Sequence, residues 1–258
     1  MRRAALIAAL AAAVLLPPAS AVAARWQPGV LAAEHYARGR HGEISFAVRT
    51  PCGAWGRRQD RAAPSASVIK AMLLLAYLQR GAVRDRPLND RQRALLSPMI
   101  RRSDNVAATR VLALDGGAQR LQHDAARWGM RRFKAVGDPW GDSRITARDQ
   151  ARFFLRYDRR LPPRHRAYAL TLLRTIVPSQ RWGIAQAAPR GWTLHFKGGW
   201  GSGTGRVDHQ VALLTRGAQR VSLAILTTAD GTHAYGKRTL QGLARRLLRG
   251  LGATGRVC

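Results

Sequence analysis

The spacing of apolar positions changes several times along the chain, and the changes divide it into blocks. Apolar side chains at helical intervals predict a short helix over Val30–Arg38. Ile44, Phe46 and Val48 then alternate with polar or small residues, the period-two pattern of a half-buried strand. Pro51-Cys52-Gly53 is a turn signal, and residues 54–58 return as a second strand to make a hairpin. Past Ala62 the period becomes helical. It predicts helices over the apolar run 71–78 with its leading segment Pro64-Ser65-Ala66-Ser67-Val68-Ile69-Lys70, and over 90–102, Asn105–Leu114, 118–128, 146–157 and 163–176. Gly116-Gly117 and residues 137–142 punctuate this block. Beyond Gln180 strands return over 192–197, 207–215 and 220–228, and an amphipathic helix over 234–251 closes the chain. This order predicts an α/β fold (α+β in some usage). Its first two and last three strands form a five-stranded antiparallel sheet with flanking helices, around an inserted all-helical lobe. The α/β part is expected over 25–61 and 186–258, the lobe over 62–185.

The first 24 residues read differently. Arg2 and Arg3 precede a short apolar run over 4–16, then Pro17-Pro18 and small residues with an Ala-x-Ala site at Ala21 or Ala23. That is the pattern of a cleaved signal peptide, and its apolar run is too short to span a bilayer. The mature chain is therefore expected outside the cell or at the cell wall, with no transmembrane segment after cleavage. An oxidising compartment and an even cysteine count allow a Cys52–Cys258 disulfide. Cys258 is the last residue and termini are often mobile, so the bonded and free states both stay open. The formal net charge is +30, but the basic residues are spread along the whole chain and no nucleic-acid motif appears. Anionic cell-wall polymers, and no specific nucleic acid, are the expected partners.

Ser67 and Lys70 stand at i and i+3, on one face of a helix. Only four of the 44 basic residues are lysines, Lys70, Lys134, Lys197 and Lys237. Arginine serves wherever plain charge suffices, yet lysine is kept beside Ser67. A buried lysine can lose its proton and arginine cannot, so Lys70 is a candidate base for a Ser67 nucleophile. Ser103-Asp104-Asn105 opens a predicted helix and, taken alone, reads as a helix cap. Lys197 followed by Gly198, Gly199 and Gly201 reads, taken alone, as a turn at a strand end. Asp208 and His209 are adjacent on a strand and point to opposite faces, which excludes a triad built on that pair. His195 shares a face with Lys197, where a histidine is usually packed or on the surface. The seven histidines show no ligand spacing, so no metal and no cofactor is expected.

Ser-x-x-Lys, then Ser-Asp-Asn, then Lys-x-Gly, in this order on this element pattern, resembles the serine penicillin-recognising enzymes, the class A β-lactamases and penicillin-binding proteins. Residues 189–197 look like the approach to the third-motif strand of class A enzymes. Residues 146–150, 177–183 and 197–200 resemble a group of exported actinobacterial serine hydrolases of the same clan. The resemblance implies that Ser67 attacks an acyl carbonyl, with Lys70 as the nearest base and Ser103 relaying a proton to the leaving nitrogen. Asn105 would bond the substrate amide or Lys70, and Lys197 would face a substrate carboxylate and the Ser103 hydroxyl. The backbone N–H groups of Ser67 and Trp200 would form the oxyanion hole.

The sequence departs from that pattern in three places. The region 128–146 contains no glutamate where class A enzymes activate the deacylating water, which leaves Asp138 as the substitute and Asp142 as a structural aspartate. Gly198 stands where a hydroxyl residue normally meets the substrate carboxylate; Ser202 or Thr204 would stand in for that hydroxyl, with Gly198 and Gly199 bordering the substrate. Ser67 and Ser103 are closer in sequence than in typical class A enzymes. The expected function is an exported serine acyl-hydrolase, β-lactamase-like or D,D-peptidase-like. Its substrates would be β-lactam or D-alanyl-peptide-like amides, with weak deacylation. The alternative is a non-catalytic, basic cell-wall-binding protein on the same scaffold.

Overall fold

A computed structural model describes residues 25–201, 206–252 and 256–258. The predicted leader, Ser202 and Thr204 lie outside the described residues. The chain runs α1 (Val30–Arg38), β1 (Glu43–Thr50), β2 (Gly53–Arg57), β3 (Ala62–Pro64), a 3₁₀ turn (Ala66–Val68) and α2 (Ile69–Gln79). Next come α3 (Gly81–Arg84), α4 (Asp90–Arg101), α5 (Asn105–Leu114), α6 (Gly117–Arg127), a 3₁₀ turn (Trp140–Asp142), β4 (Arg144–Thr146), α7 (Ala147–Leu155), α8 (Tyr157–Arg160) and α9 (Pro163–Arg174). Two more 3₁₀ turns (Pro178–Gln180, Gly183–Gln186) lead into β5 (Thr193–Gly201), β6 (Val207–Arg216), β7 (Gln219–Thr228) and α10 (His233–Leu247).

Five strands form one antiparallel sheet in the order β2-β1-β7-β6-β5. The hairpin and the last three strands meet where Phe46 stands opposite Ile225 and Ala47 opposite Ala224. Alternation then sorts the side chains. Ile44, Phe46, Val48, Phe196, Leu223 and Ile225 pack on one face, under α1 and the Leu240–Leu243–Leu247 stripe of α10. Ala47, Val211, Leu213, Ala224 and Leu226 face the other way, into the core shared with α2 and α7. With both faces covered, β6 and β7 are almost wholly buried. Every residue of α2 from Ile69 to Leu78 is buried as well, so this helix is surrounded by protein on all sides.

Several elements differ from the sequence reading. Ser67 does not begin the long helix but sits in the separate turn ahead of it, which Ala66 enters at φ +43°. The predicted helix 146–157 is shorter, because the Thr146 hydroxyl caps it from outside and it ends at Leu155. Most consequential, β5 does not stop at Lys197. Gly198, Gly199 and Trp200 keep pairing, opposite Gln210, His209 and Asp208. A small second sheet, in which β3 pairs with β4, was not foreseen. It holds the chain just before Ser67, helped by Ser65 N–H donating to Ser143 O at 2.7 Å. Cys52 and Cys258 form a disulfide that ties the turn after β1 to the C-terminal residue.

Candidate active site

Three elements converge on one point. The 3₁₀ turn and first turn of α2 bring Ser67 and Lys70, the α4–α5 junction brings Ser103 and Asn105, and β5 brings Lys197. Lys70 is fully buried, and its Nζ lies 2.8 Å from Ser67 Oγ, 2.6 Å from Ser103 O, 3.1 Å from Ser103 Oγ and 2.6 Å from Asn105 Oδ1. The two shortest contacts go to a carbonyl and an amide oxygen, which can only accept. They use two Nζ protons. Burial brings the Lys70 pKa down to about 7, opposed by the charge of Asp104, so near neutrality much of the lysine is an uncharged amine. Such an amine keeps a lone pair to accept the Ser67 hydroxyl proton.

Ser103 is held in the left-handed region at φ +60°, a conformation rarely adopted by a non-glycine residue and often found at working sites. The strain turns both its carbonyl and its hydroxyl to Lys70. The hydroxyl is shared with the second lysine, since Lys197 Nζ donates to Ser103 Oγ at 3.0 Å and to Gly198 O at 2.7 Å. Lys197 is completely buried, and burial together with the Lys70 charge holds its pKa well below the ordinary lysine value. The Ser103 hydroxyl thus bridges two amines. Asp104 caps α5 by accepting Ala107 N–H at 2.8 Å, so the Ser-Asp-Asn stretch is both a helix cap and part of this cluster.

Gly199 explains the glycines after Lys197. A Cβ there would lie 2.8 Å from both Ser67 N and Val68 N, so the strand presses directly on the backbone at Ser67. A Gly199→Ala variant is expected to push β5 away from that backbone. Overpacking of this kind costs about 1–3 kcal/mol, and the acylation rate should fall at least ~10-fold because oxyanion geometry tolerates little displacement. Thermal unfolding and labelling kinetics of the variant check both effects.

The comparisons with known proteins agree with this geometry. The profile of the "Beta-lactamase enzyme family" matches residues 81–251, well over half of the chain. The chain belongs to this family. Among solved structures, a β-lactamase from Sphaerobacter thermophilus is 20% identical with a TM-score of 0.75, over 87% of this chain and 97% of that one. PBP-A is 18% identical with a TM-score of 0.71, over 89% and 99%. A variant of PBP-A, solved as its acyl-enzyme complex with penicillin G, is 18% identical with a TM-score of 0.70, over 86% and 94%. These likenesses establish the fold. No curated protein matches the chain.

In this member of the β-lactamase enzyme family, aromatic side chains surround the cluster. The loop over 134–144 closes on itself through paired backbone bonds between Lys134 and Arg144. The residue it turns toward Lys70 is Trp140, whose ring centroid is 4.9 Å from Nζ and whose Nε1 donates to Thr109 Oγ1 at 3.0 Å. Asp138 is exposed and, among the described residues, makes no recorded hydrogen bond to the cluster. At Gly198 a Cβ would meet the Trp182 ring at 3.4 Å, so indole occupies the space beside that position. Trp182 stands edge-on to Trp200 at 5.7 Å, and His233 stacks on Trp200 at 5.7 Å. This aromatic wall was missed in the sequence, where Trp200 entered only through its backbone N–H.

His209 was excluded from a triad by alternation, and its structural place is different. Its Nδ1 accepts Thr227 N–H at 3.1 Å, so its Nε2 carries the proton and donates to Pro64 O at 2.9 Å. Burial lowers its pKa to about 4. It is a neutral strut under the segment leading to Ser67. His195 lies away from the cluster, with its Nδ1 3.0 Å from Leu170 O of α9. Among the described residues no group of three or more histidine, cysteine or carboxylate side chains is placed to hold a metal, and no helix is long and apolar enough to cross a membrane.

Proposed function

We propose that this chain is an exported serine acyl-hydrolase, acylated at Ser67 by β-lactam or D-alanyl-peptide-like amides and released only slowly. The observation that carries the proposal is the Ser67–Lys70–Ser103–Lys197 network, with a buried amine of lowered basicity 2.8 Å from the serine hydroxyl. Membership of the β-lactamase enzyme family and the penicillin G acyl-enzyme of the PBP-A variant support the same chemistry.

Ser67 Oγ attacks the carbonyl carbon while its proton passes to Lys70 Nζ. The negative charge formed on the carbonyl oxygen is received by the N–H groups of Ser67 and Trp200. The proton then travels from Lys70 through the Ser103 hydroxyl to the amide nitrogen. The C–N bond breaks, leaving acyl-Ser67 and a neutral amine. Asn105 both orients Lys70 and offers an amide to the substrate. Lys197 steadies Ser103 and would supply positive charge to a substrate carboxylate. Gly198 and Gly199 would border the acyl group on the β5 side, and Ser202 or Thr204 would offer it a hydroxyl.

Deacylation needs a second base, and Asp138, exposed at the loop, is the one carboxylate proposed for it. Among the described residues the carboxylate whose charge acts on Lys70 is Asp104, and its Oδ1 already serves the α5 cap. The non-catalytic alternative draws on the same feature, the loss of a hydroxyl at Gly198, but leaves the strained Ser103 and the buried Lys70 without a purpose. A fluorescent penicillin discriminates the two. Labelling of the wild type and none of Ser67→Ala is the expected result; equal labelling of both, or of neither, overturns the proposal. The net charge of +30 supports retention on anionic wall polymers after export.

A further inference from the structure

A strongly basic concavity lies away from Ser67. Between β1, the start of β7 and the α7–α8 segment lies a cavity of about 660 Å³, and eight of its thirteen lining residues are arginines. A second cavity of about 860 Å³ is lined by five further arginines together with Arg159, which belongs to both. The two therefore adjoin at Arg159. Ser67, Lys70, Ser103 and Lys197 line neither.

Arg148 and Arg152 on α7, Arg156 at the junction and Arg159 on α8 follow one another at intervals of four, four and three, and all four line the first cavity. Like charges at this spacing repel, and neighbouring carboxylates answer only part of the charge. Asp60 holds Arg148 at 2.6 Å and Asp158 holds Arg220 at 2.7 Å. Arg131, Arg152, Arg156 and Arg159 have no carboxylate partner among the described residues. Arg49 is more telling: its Nε is buried with no hydrogen-bond partner among the described residues, and Arg148 and Arg152 lie near enough to destabilise its charge. In the second cavity the buried carboxyl of Asp115 is pushed up to about 8 by burial, so it hardly opposes an anion at neutral pH. A row of forked donors, partly unanswered, is complementary to a row of tetrahedral or planar anions.

We infer that this arginine track is a binding site for a linear polymer of repeating phosphodiesters. Two adjoining cavities that share Arg159 suit a chain better than a single small anion. No aromatic side chain lines the first cavity, and Trp128, which borders the second, is buried, so neither offers an exposed ring to stack on nucleic-acid bases. The site goes beyond the acyl-serine chemistry and stands whether or not Ser67 is acylated. It confines to one track an affinity that net charge alone would spread over the whole surface.

The test uses the purified protein and a fluorescent poly(glycerol phosphate) chain, with anisotropy read against salt concentration. Arg152→Gln/Arg156→Gln is compared with Arg91→Gln/Arg245→Gln, which removes the same charge at exposed positions outside both cavities. The track variant should bind at least ~10-fold more weakly, with its salt slope reduced by about 2, while the control stays within ~2-fold of wild type. Thermal midpoints and Ser67 labelling should be the same in all three proteins, which separates loss of the track from loss of the fold or of the acylation site. Equal weakening of both variants would overturn the inference in favour of diffuse charge. So would inorganic tripolyphosphate binding as tightly as the polymer, which would make the site one for a small free anion. Single-stranded DNA of matched charge binding as tightly, with the same dependence on Arg152 and Arg156, would overturn the choice of polymer.

Discussion

Lys70→Ala is expected to slow acylation of Ser67 by about 10²–10⁴-fold, the usual contribution of a positioned base. Lys70→Arg should be as slow, because arginine keeps its proton at any pH the protein tolerates. The reason is the buried network: Nζ gives protons to Ser103 O and Asn105 Oδ1 and, when neutral, turns its lone pair to Ser67. The sign of the pH dependence follows. Lysine is a base only when deprotonated, and burial has brought its pKa to about 7. The acylation rate should therefore rise with pH through a midpoint near 7 and level off above it. Stopped-flow labelling between pH 5.5 and 8.5 measures this directly. A flat profile, or a Lys70→Ala rate within a few-fold of wild type, would mean that another group takes the proton.

The second large effect concerns release. Mixing with nitrocefin should give a burst of colour equal to one equivalent of protein, followed by a steady rate about 10²–10⁴-fold below the burst rate. That is the factor a missing general base would otherwise supply. The side chain over Lys70 is Trp140, and indole has no basic nitrogen with which to activate water. Asp138→Ala isolates the remaining candidate. If Asp138 activates the deacylating water, its loss slows the residual steady rate further and leaves the burst unchanged. Steady hydrolysis as fast as the burst would contradict the account of the loop.

The bonding cluster was legible in the sequence because residue type and spacing carry it. Ser67 and Lys70 share a helical face, lysine is rare among the basic residues, and the Ser103 and Lys197 stretches follow in order. The sheet was legible from period-two runs that end in turns. What was hidden depends on pairings between distant segments. The glycines after Lys197 looked like a strand end, yet β5 continues because Gly199 must lie flat against the backbone of Ser67. Trp140 and Trp182 gave no local signal, since nothing in their neighbours tells which lysine or which glycine they will cover. His209 likewise acquires its role only when Pro64 and Thr227 arrive at its two ring nitrogens. The arginine stripe of α7 and α8 has a clear helical spacing, but arginine is so frequent throughout the chain that the stripe did not stand out.

The measurement that bears most directly on the central claim is the intact mass of the protein after exposure to penicillin G, followed over hours and completed by peptide mapping. The account predicts a single adduct of one ring-opened penicillin on the peptide containing Ser67. It should form faster at pH 8 than at pH 6, persist over the time course, and be absent from Ser67→Ala. No adduct under any of these conditions, or an adduct on another residue, would contradict it.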